Sequence, residues 1–176
     1  KIEEVKDQFE TNVFAAIRLI QAVVPSMIEQ SRGTVINISS VEGKLATPFN
    51  GAYAASKFAL EGLSEALRIE LWPLGIKVAV VEPGLISTQF HRNQVIGEKV
   101  QSGKSPYSPY ISRYRAKRAH FDKFSSNPYV VAKSIHKIIH SSRPSFRHPV
   151  GLDSRIGTFA HRILPERIWQ TLLSRA

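Results

Sequence analysis

Cysteine is absent from the 176 residues, which removes thiolate chemistry and a disulfide framework and leaves the redox compartment unstated. No apolar run approaches the ~18–20 residues a bilayer-spanning helix needs. Lys1-Ile2-Glu3-Glu4 has no apolar core of the signal-peptide kind. Internal repeats and low-complexity tracts are missing as well. The expectation is a cytoplasmic protein.

What is present describes a packed domain. Hydrophobic residues make up 43% and charged residues 22%, excluding a disordered or collagen-like chain. The length suits one domain with a core. The formal charge is +10, and it is unevenly placed. Residues 1–90 carry 8 basic and 10 acidic groups, while 91–176 carry 16 basic and 4 acidic groups together with all six histidines. Such asymmetry marks a polyanion or anionic-membrane surface, a solvated face, or a pocket for an anionic ligand. No nucleic-acid reader motif accompanies the charge, so no nucleic-acid partner is expected. No metal site is expected either.

Helical periodicity runs from Ile2 to Gln30 through Val5, Phe9, Val13, Ala16, Ile17, Ile20, Val23 and Val24, with Pro25 as the expected kink. Ser31-Arg32-Gly33 is a stop, with Gly33 suited to a left-handed cap. Thr34–Ser39 is a nearly continuous β-branched run, as expected of a strand covered on both faces. Val41–Asn50 reads as a loop, Gly51–Trp72 as a long helix, and Gly75–Val81 as a second buried strand ended by Glu82-Pro83-Gly84. This alternation predicts a parallel α/β sheet with function at the carboxyl ends of its strands, near Ser39-Ser40 and Pro83-Gly84. The polar, basic stretch 91–127 reads as a long substrate loop, with helix possible near Ile111–Phe124. A helix over Tyr129–His140, a short strand near Arg147–Val150 and an amphipathic tail divided by Pro165 complete the chain.

Two Tyr-x-x-x-Lys pairs occur, Tyr53/Lys57 and Tyr129/Lys133. Residues i and i+4 share a helical face, where an ammonium beside a phenol lowers its pKa and makes it a usable acid/base. Tyr129 follows a proline with no polar strand end before it, and reads as an anchoring aromatic. Tyr53 begins its helix one loop after Asn37-Ile38-Ser39-Ser40, whose hydroxyls can meet the same carbonyl oxygen as the phenol. Tyr53 is the better candidate.

Asn12, Asn37-Ile38-Ser39-Ser40, Tyr53-Ala54-Ala55-Ser56-Lys57 and Pro83-Gly84-Leu85-Ile86-Ser87-Thr88 together resemble, in order and spacing, the catalytic half of the short-chain dehydrogenase/reductase family. The run Pro48–Gly62 is similar to its hydroxysteroid and retinol dehydrogenase branch. The resemblance implies a Rossmann-like, doubly wound parallel sheet with flanking helices. It implies NAD or NADP as cofactor and reversible hydride exchange between an alcohol and a ketone or aldehyde. By the same resemblance Tyr53 would be the acid/base, and Lys57 would lower its pKa and hold the nicotinamide ribose. Ser40 would polarise the substrate carbonyl, with Ser39 the alternative one residue away. Asn12 would hold a relay water. Pro83, Gly84, Ile86 and Thr88 would line the nicotinamide. A bulky apolar substrate and a homo-oligomer built on the two long helices are further implications.

The family's glycine-rich turn and Asn-Asn-Ala-Gly element are absent from these residues. The expectation is therefore a C-terminal portion lacking the first βαβαβ half, with 1–90 as catalytic part, 91–127 as variable loop and 128–176 as helix, strand and basic tail. Such a piece alone would bind nicotinamide cofactor negligibly, a point that fluorescence titration with NADH and NADPH checks. The contrasting readings are a non-catalytic interaction module, and a basic C-terminus docked on an anionic membrane surface.

Overall fold

Two β-branched runs and the short segment Arg147–Val150 become three parallel strands. The computed structural model of the chain describes residues 1–91 and 102–175. Strands β1 (Gly33–Ile38), β2 (Ile76–Pro83) and β3 (Arg147–Val150) form one sheet in the order β1-β2-β3. Register runs from Gly33 opposite Ile76 to Ile38 opposite Val81, and from Val80 opposite Arg147 to Pro83 opposite Val150. Among the described residues β1 is paired on one side only. Proline inside β3 fits a strand at the sheet's other margin.

Helices cover both faces. They are α1 (Ile2–Phe9), α2 (Ala15–Glu29), α3 (Gly51–Leu71), α4 (Ser108–Asp122), α5 (Tyr129–His140), α6 (Leu152–Ile163) and α7 (Glu166–Arg175). β2 alternates between two cores, as a strand of period two must. Ile76 and Val78 pack with Val35, Ile20 and Leu71 under α2 and α3, while Ala79 and Val81 pack with Val150 and Ile138 under α5. This is the parallel sheet with flanking helices that the alternation predicts.

Several local expectations are corrected. The break in the first helix falls not at Pro25, which α2 carries within it, but at Glu10–Phe14, a π-helical turn joining α1 to α2. One extra residue in that turn re-aims the side chains around Asn12, a device common where a helix borders a site. The whole stretch Ile2–Glu29 is long and apolar enough to cross a membrane by length and composition. This overturns the expectation that no apolar stretch reaches spanning length; single polar residues such as Arg18 and Gln21 break up its apolar runs. Its Ile20, Val24 and Met27 pack on the sheet.

The left-handed residue after α2 is Ser31 (φ 47°), and Gly33 instead opens β1. Gly75 (φ 77°) is left-handed, and a Cβ there would strike the Ser31 carbonyl, so these two turns lock against each other. Helix α4 is longer than the expected helical part of 91–127; residues 92–101 of that stretch lie outside the described residues. Pro165 does divide the tail, separating α6 from α7.

β3 is tied to α3 by charge. Arg147 Nε donates to Glu61 Oε2 at 3.1 Å, its terminal nitrogen donates to Glu65 Oε2 at 2.7 Å, and Glu82 Oε1 of β2 lies 3.6 Å away. Burial beside the Glu61 carboxyl pushes Glu82 up to about 7.

Candidate active site

The carboxyl ends of β1 and β2 open into a cavity of about 760 Å³. The strand ends contribute Ile38, Ser39, Ser40, Pro83 and Gly84 to its wall, and α3 contributes Tyr53 and Lys57. Helices α4 and α5 cover it with Tyr114, Lys117, Arg118 and Phe121, and with Val131, Ala132 and Ile135; Trp169 of α7 also reaches it. A parallel sheet makes this placement inevitable. Each strand leaves a loop at the same end, and helix α3 returns with its first turn beside the end of β1.

The residues of the dehydrogenase-like set all lie on this wall: Asn12, Ser40, Tyr53, Lys57, Pro83, Gly84, Ile86 and Thr88. Lys57 is only 9% exposed; its Nζ donates to the Ile38 carbonyl at 2.9 Å and stands 5.8 Å from the centre of the Tyr53 ring. Burial pulls its ammonium down to about 8. The Tyr53 phenol is pushed above its usual value by burial, with the hydrogen bond from Ser40 opposing the rise. The expected depression of this phenol is thus reversed in the chain by itself: desolvation outweighs the favourable contacts.

The two serines part company. Ser40 Oγ accepts from the Glu42 amide at 3.1 Å and lies on the Tyr53 side, where it opposes the rise in the phenol's pKa. Ser39 Oγ is buried without a hydrogen-bond partner among the described residues and packs against Gly43. Asn12 Nδ2 donates to Ser56 Oγ at 2.9 Å, and Ser56 donates to the Tyr53 carbonyl at 2.7 Å. The asparagine therefore braces the first turn of α3 rather than touching Lys57 by its side chain. The Phe90 ring lies 5.4 Å from that of Tyr53, and Thr88 Oγ1 accepts from the Phe90 amide at 3.2 Å.

The turn after β2 is held by the first turn of α6. Asp153 Oδ2 accepts from the Leu85 amide at 2.5 Å, and a Cβ on Gly84 would collide with that carboxylate. Ile86 bridges Ser126, whose amide donates to the Leu85 carbonyl at 2.8 Å. The second Tyr-x-x-x-Lys pair is elsewhere. Tyr129 is 71% exposed, Lys133 is exposed, and neither reaches the cavity.

Sequence reasoning missed Glu42, Thr47, Asn50, Tyr114 and Asp153. Glu42 Oε1 accepts from Thr47 Oγ1 at 2.7 Å and Asn50 Nδ2 at 3.2 Å, and Tyr114 closes the group with its hydroxyl 3.3 Å from Thr47 Oγ1. The available signal was an acidic residue two positions after Ser40, in a loop otherwise short of charge. Asp153 carried the weaker signal of Gly-x-Asp just beyond a short strand.

The family model described as short chain dehydrogenase matches residues 1–99. An uncharacterized oxidoreductase of Escherichia coli (strain K12), YbbO, is 36% identical over 170 residues, 97% of this chain and 59% of the relative. The 3-ketodihydrosphingosine reductase of Bacteroides thetaiotaomicron is 37% identical over 149 residues, 85% of this chain and 55% of the relative. The crystal structure of a short-chain dehydrogenase from Streptomyces avermitilis superposes with a TM-score of 0.76 at 30% identity, covering 99% of this chain and 61% of that one. The chain thus spans well under two thirds of the length of the relatives it matches.

Proposed function

The chain belongs to the short-chain dehydrogenase family, and on that premise we propose that the protein interconverts an alcohol and a ketone or aldehyde, using NAD or NADP and Tyr53 as the acid/base. The observation that carries this reading is the cavity itself, where Ser40, Tyr53 and Lys57 meet at the carboxyl ends of two buried parallel strands.

The residues present fit the nicotinamide end of such a cofactor. A buried ammonium, Lys57, borders the cavity, and the Pro83-Gly84 turn offers backbone with little side chain in the way. Lys57 would hold the ribose, and Pro83, Gly84, Ile86 and Thr88 would line the ring and its carboxamide. When bound, the nicotinamide supplies or accepts the hydride. In the reducing direction the Tyr53 phenol, kept protonated by burial, gives its proton to the substrate oxygen. Ser40 holds that oxygen beside the phenol and stabilises the charge that develops there. The phenolate left behind is stabilised by the Lys57 charge and then reprotonated. Asn12 fixes the helical turn on which Tyr53 sits, and borders the path by which a relay water would reach Lys57.

Leu45, Leu85, Phe90, Phe121, Ile135 and Trp169 make the walls largely apolar, which suits a bulky apolar substrate. The relative named for 3-ketodihydrosphingosine points the same way. Exposed Phe14 at the end of the π-helical turn and Leu19 on α2, with Phe58 and Ile69 on α3, suit an interface with a second copy. The test is spectrophotometric: protein expressed from its complete coding sequence is assayed for NADPH or NADH consumption with apolar ketones and aldehydes. Consumption that disappears in Tyr53→Phe while cofactor binding persists supports the reading. Turnover retained by that variant overturns the role of Tyr53.

A further inference from the structure

Glu42 is a second polar centre in the cavity, and the chemistry described so far does not use it. It sits on the short turn Val41–Gly43 directly after Ser40, on the cavity wall, and is 6% exposed. Its two carboxyl oxygens differ sharply. Oε1 is saturated by Thr47 and Asn50, which fixes the plane of the group. Oε2 is buried and has no hydrogen-bond partner among the described residues. Leaving a carboxyl oxygen desolvated and unpaired costs stability, and a ligand that donates to it would relieve that cost.

We propose that Glu42 recognises a hydrogen-bond donor, a hydroxyl or a protonated amine, that the substrate carries next to the carbon that reacts. The inference rests on the oxidoreductase reading of the same site. Ser40, two residues away, fixes the reacting oxygen, so a donor that reaches Oε2 belongs to a neighbouring carbon rather than to a distant tail. The otherwise apolar wall then accepts the rest of the molecule. A specificity group of this kind discriminates strongly, because an analogue without the donor leaves Oε2 buried and unpaired.

The test compares three ketones that differ only at the carbon beside the carbonyl: propiophenone, 2-hydroxy-1-phenylpropan-1-one and 2-amino-1-phenylpropan-1-one. Protein expressed from its complete coding sequence reduces them with NADPH or NADH, and kcat/KM is measured for each. The expected result is a preference of at least about tenfold for the hydroxy or the amino ketone over propiophenone, about 1.4 kcal/mol. The larger of the two ratios identifies the donor. In Glu42→Gln and Glu42→Ala the ratio collapses toward one, carried by KM. A merely structural role would lower all three rates together and leave the ratio intact, and that outcome overturns the proposal. So does a wild-type ratio near one, which needs no variant. If the wild type reduces other apolar ketones or aldehydes but none of the three, this inference fails and the oxidoreductase reading stands; if it reduces no ketone or aldehyde at all, both fail.

Discussion

Tyr53/Lys57 and Tyr129/Lys133 have the same spacing on two helices of one chain, and they differ in nearly everything else. The first pair opens α3 at the mouth of the sheet, with its lysine buried under the end of β1 and bonded to the Ile38 carbonyl. The second opens α5 on the outside, where Tyr129 is in solvent and its amide merely donates a capping bond to Asn127 Oδ1. An i, i+4 spacing places two side chains on one face and says nothing about what that face meets. Desolvation and a neighbouring hydroxyl turn the pair into a candidate acid/base, and only the strand end supplies both.

The contrast is most easily broken at the phenol. Tyr53→Phe is expected to reduce turnover by about a thousandfold, within the range general acid–base groups supply, whereas Tyr129→Phe leaves it within about twofold. Steady-state rates on any accepted ketone decide this. Equal losses in both variants would erase the distinction. Lys57→Met should follow, with a loss of roughly a hundredfold and weaker cofactor binding, against no measurable change for Lys133→Met.

Ser40→Ala sharpens the comparison within the site, with an expected loss of about tenfold to a hundredfold from the missing hydroxyl. Ser39→Ala should cost less than about fivefold in rate, since its hydroxyl faces Gly43 rather than Tyr53. A larger effect at Ser39 would move the polarising role by one residue. The pH dependence offers a subtler check. Alcohol oxidation needs the phenolate, and burial holds the Tyr53 phenol up. The oxidation rate should therefore still be climbing as the pH approaches ~10, where an ordinary phenol is half ionised. A plateau near neutrality would show that bound cofactor reverses the effect of burial.

The smallest expected effect extends the contrast from tyrosines to a carboxyl. Glu82 is 3% exposed and raised to about 7 by burial and by Glu61. Between the ordinary value of 4.5 and about 7 the folded protein keeps a proton that the unfolded chain has released. Stability should therefore fall as the pH rises through that window, by on the order of 2 kcal/mol, with Arg147 moderating the change. Denaturant titrations at several pH values measure it, and Glu82→Gln should flatten the slope.

Much of the core was legible because its signals are local. β-branched runs at Thr34–Ile38 and Ile76–Val81, and apolar spacing along α3 and α5, need only the chain's own periodicity. The π-helical turn at Glu10–Phe14 was not legible, because no residue type in Glu-Thr-Asn-Val-Phe demands it. Asn12 reaches Ser56 across 44 positions of sequence, and that contact is part of the packing of the turn against α3. Likewise, nothing near Pro25 announces that a proline can ride within α2. Glu42 was hidden for a related reason: a single glutamate in a loop reads as solvated until Thr47, Asn50 and Tyr114 are folded around it.

The sequence by itself determined the parallel α/β order, the residues at the two strand ends and the family to which they belong. All three are written in short motifs whose spacing survives without knowledge of contacts. Sequence context already favoured Tyr53 over Tyr129 and Ser40 over Ser39; tertiary structure alone decided how deeply Lys57 is buried, that Asn12 braces Ser56, and that a carboxyl oxygen of Glu42 is buried without a hydrogen-bond partner among the described residues. Those distinctions depend on desolvation and on hydrogen bonds between distant segments, and neither exists until β1, β2 and α3 have come together.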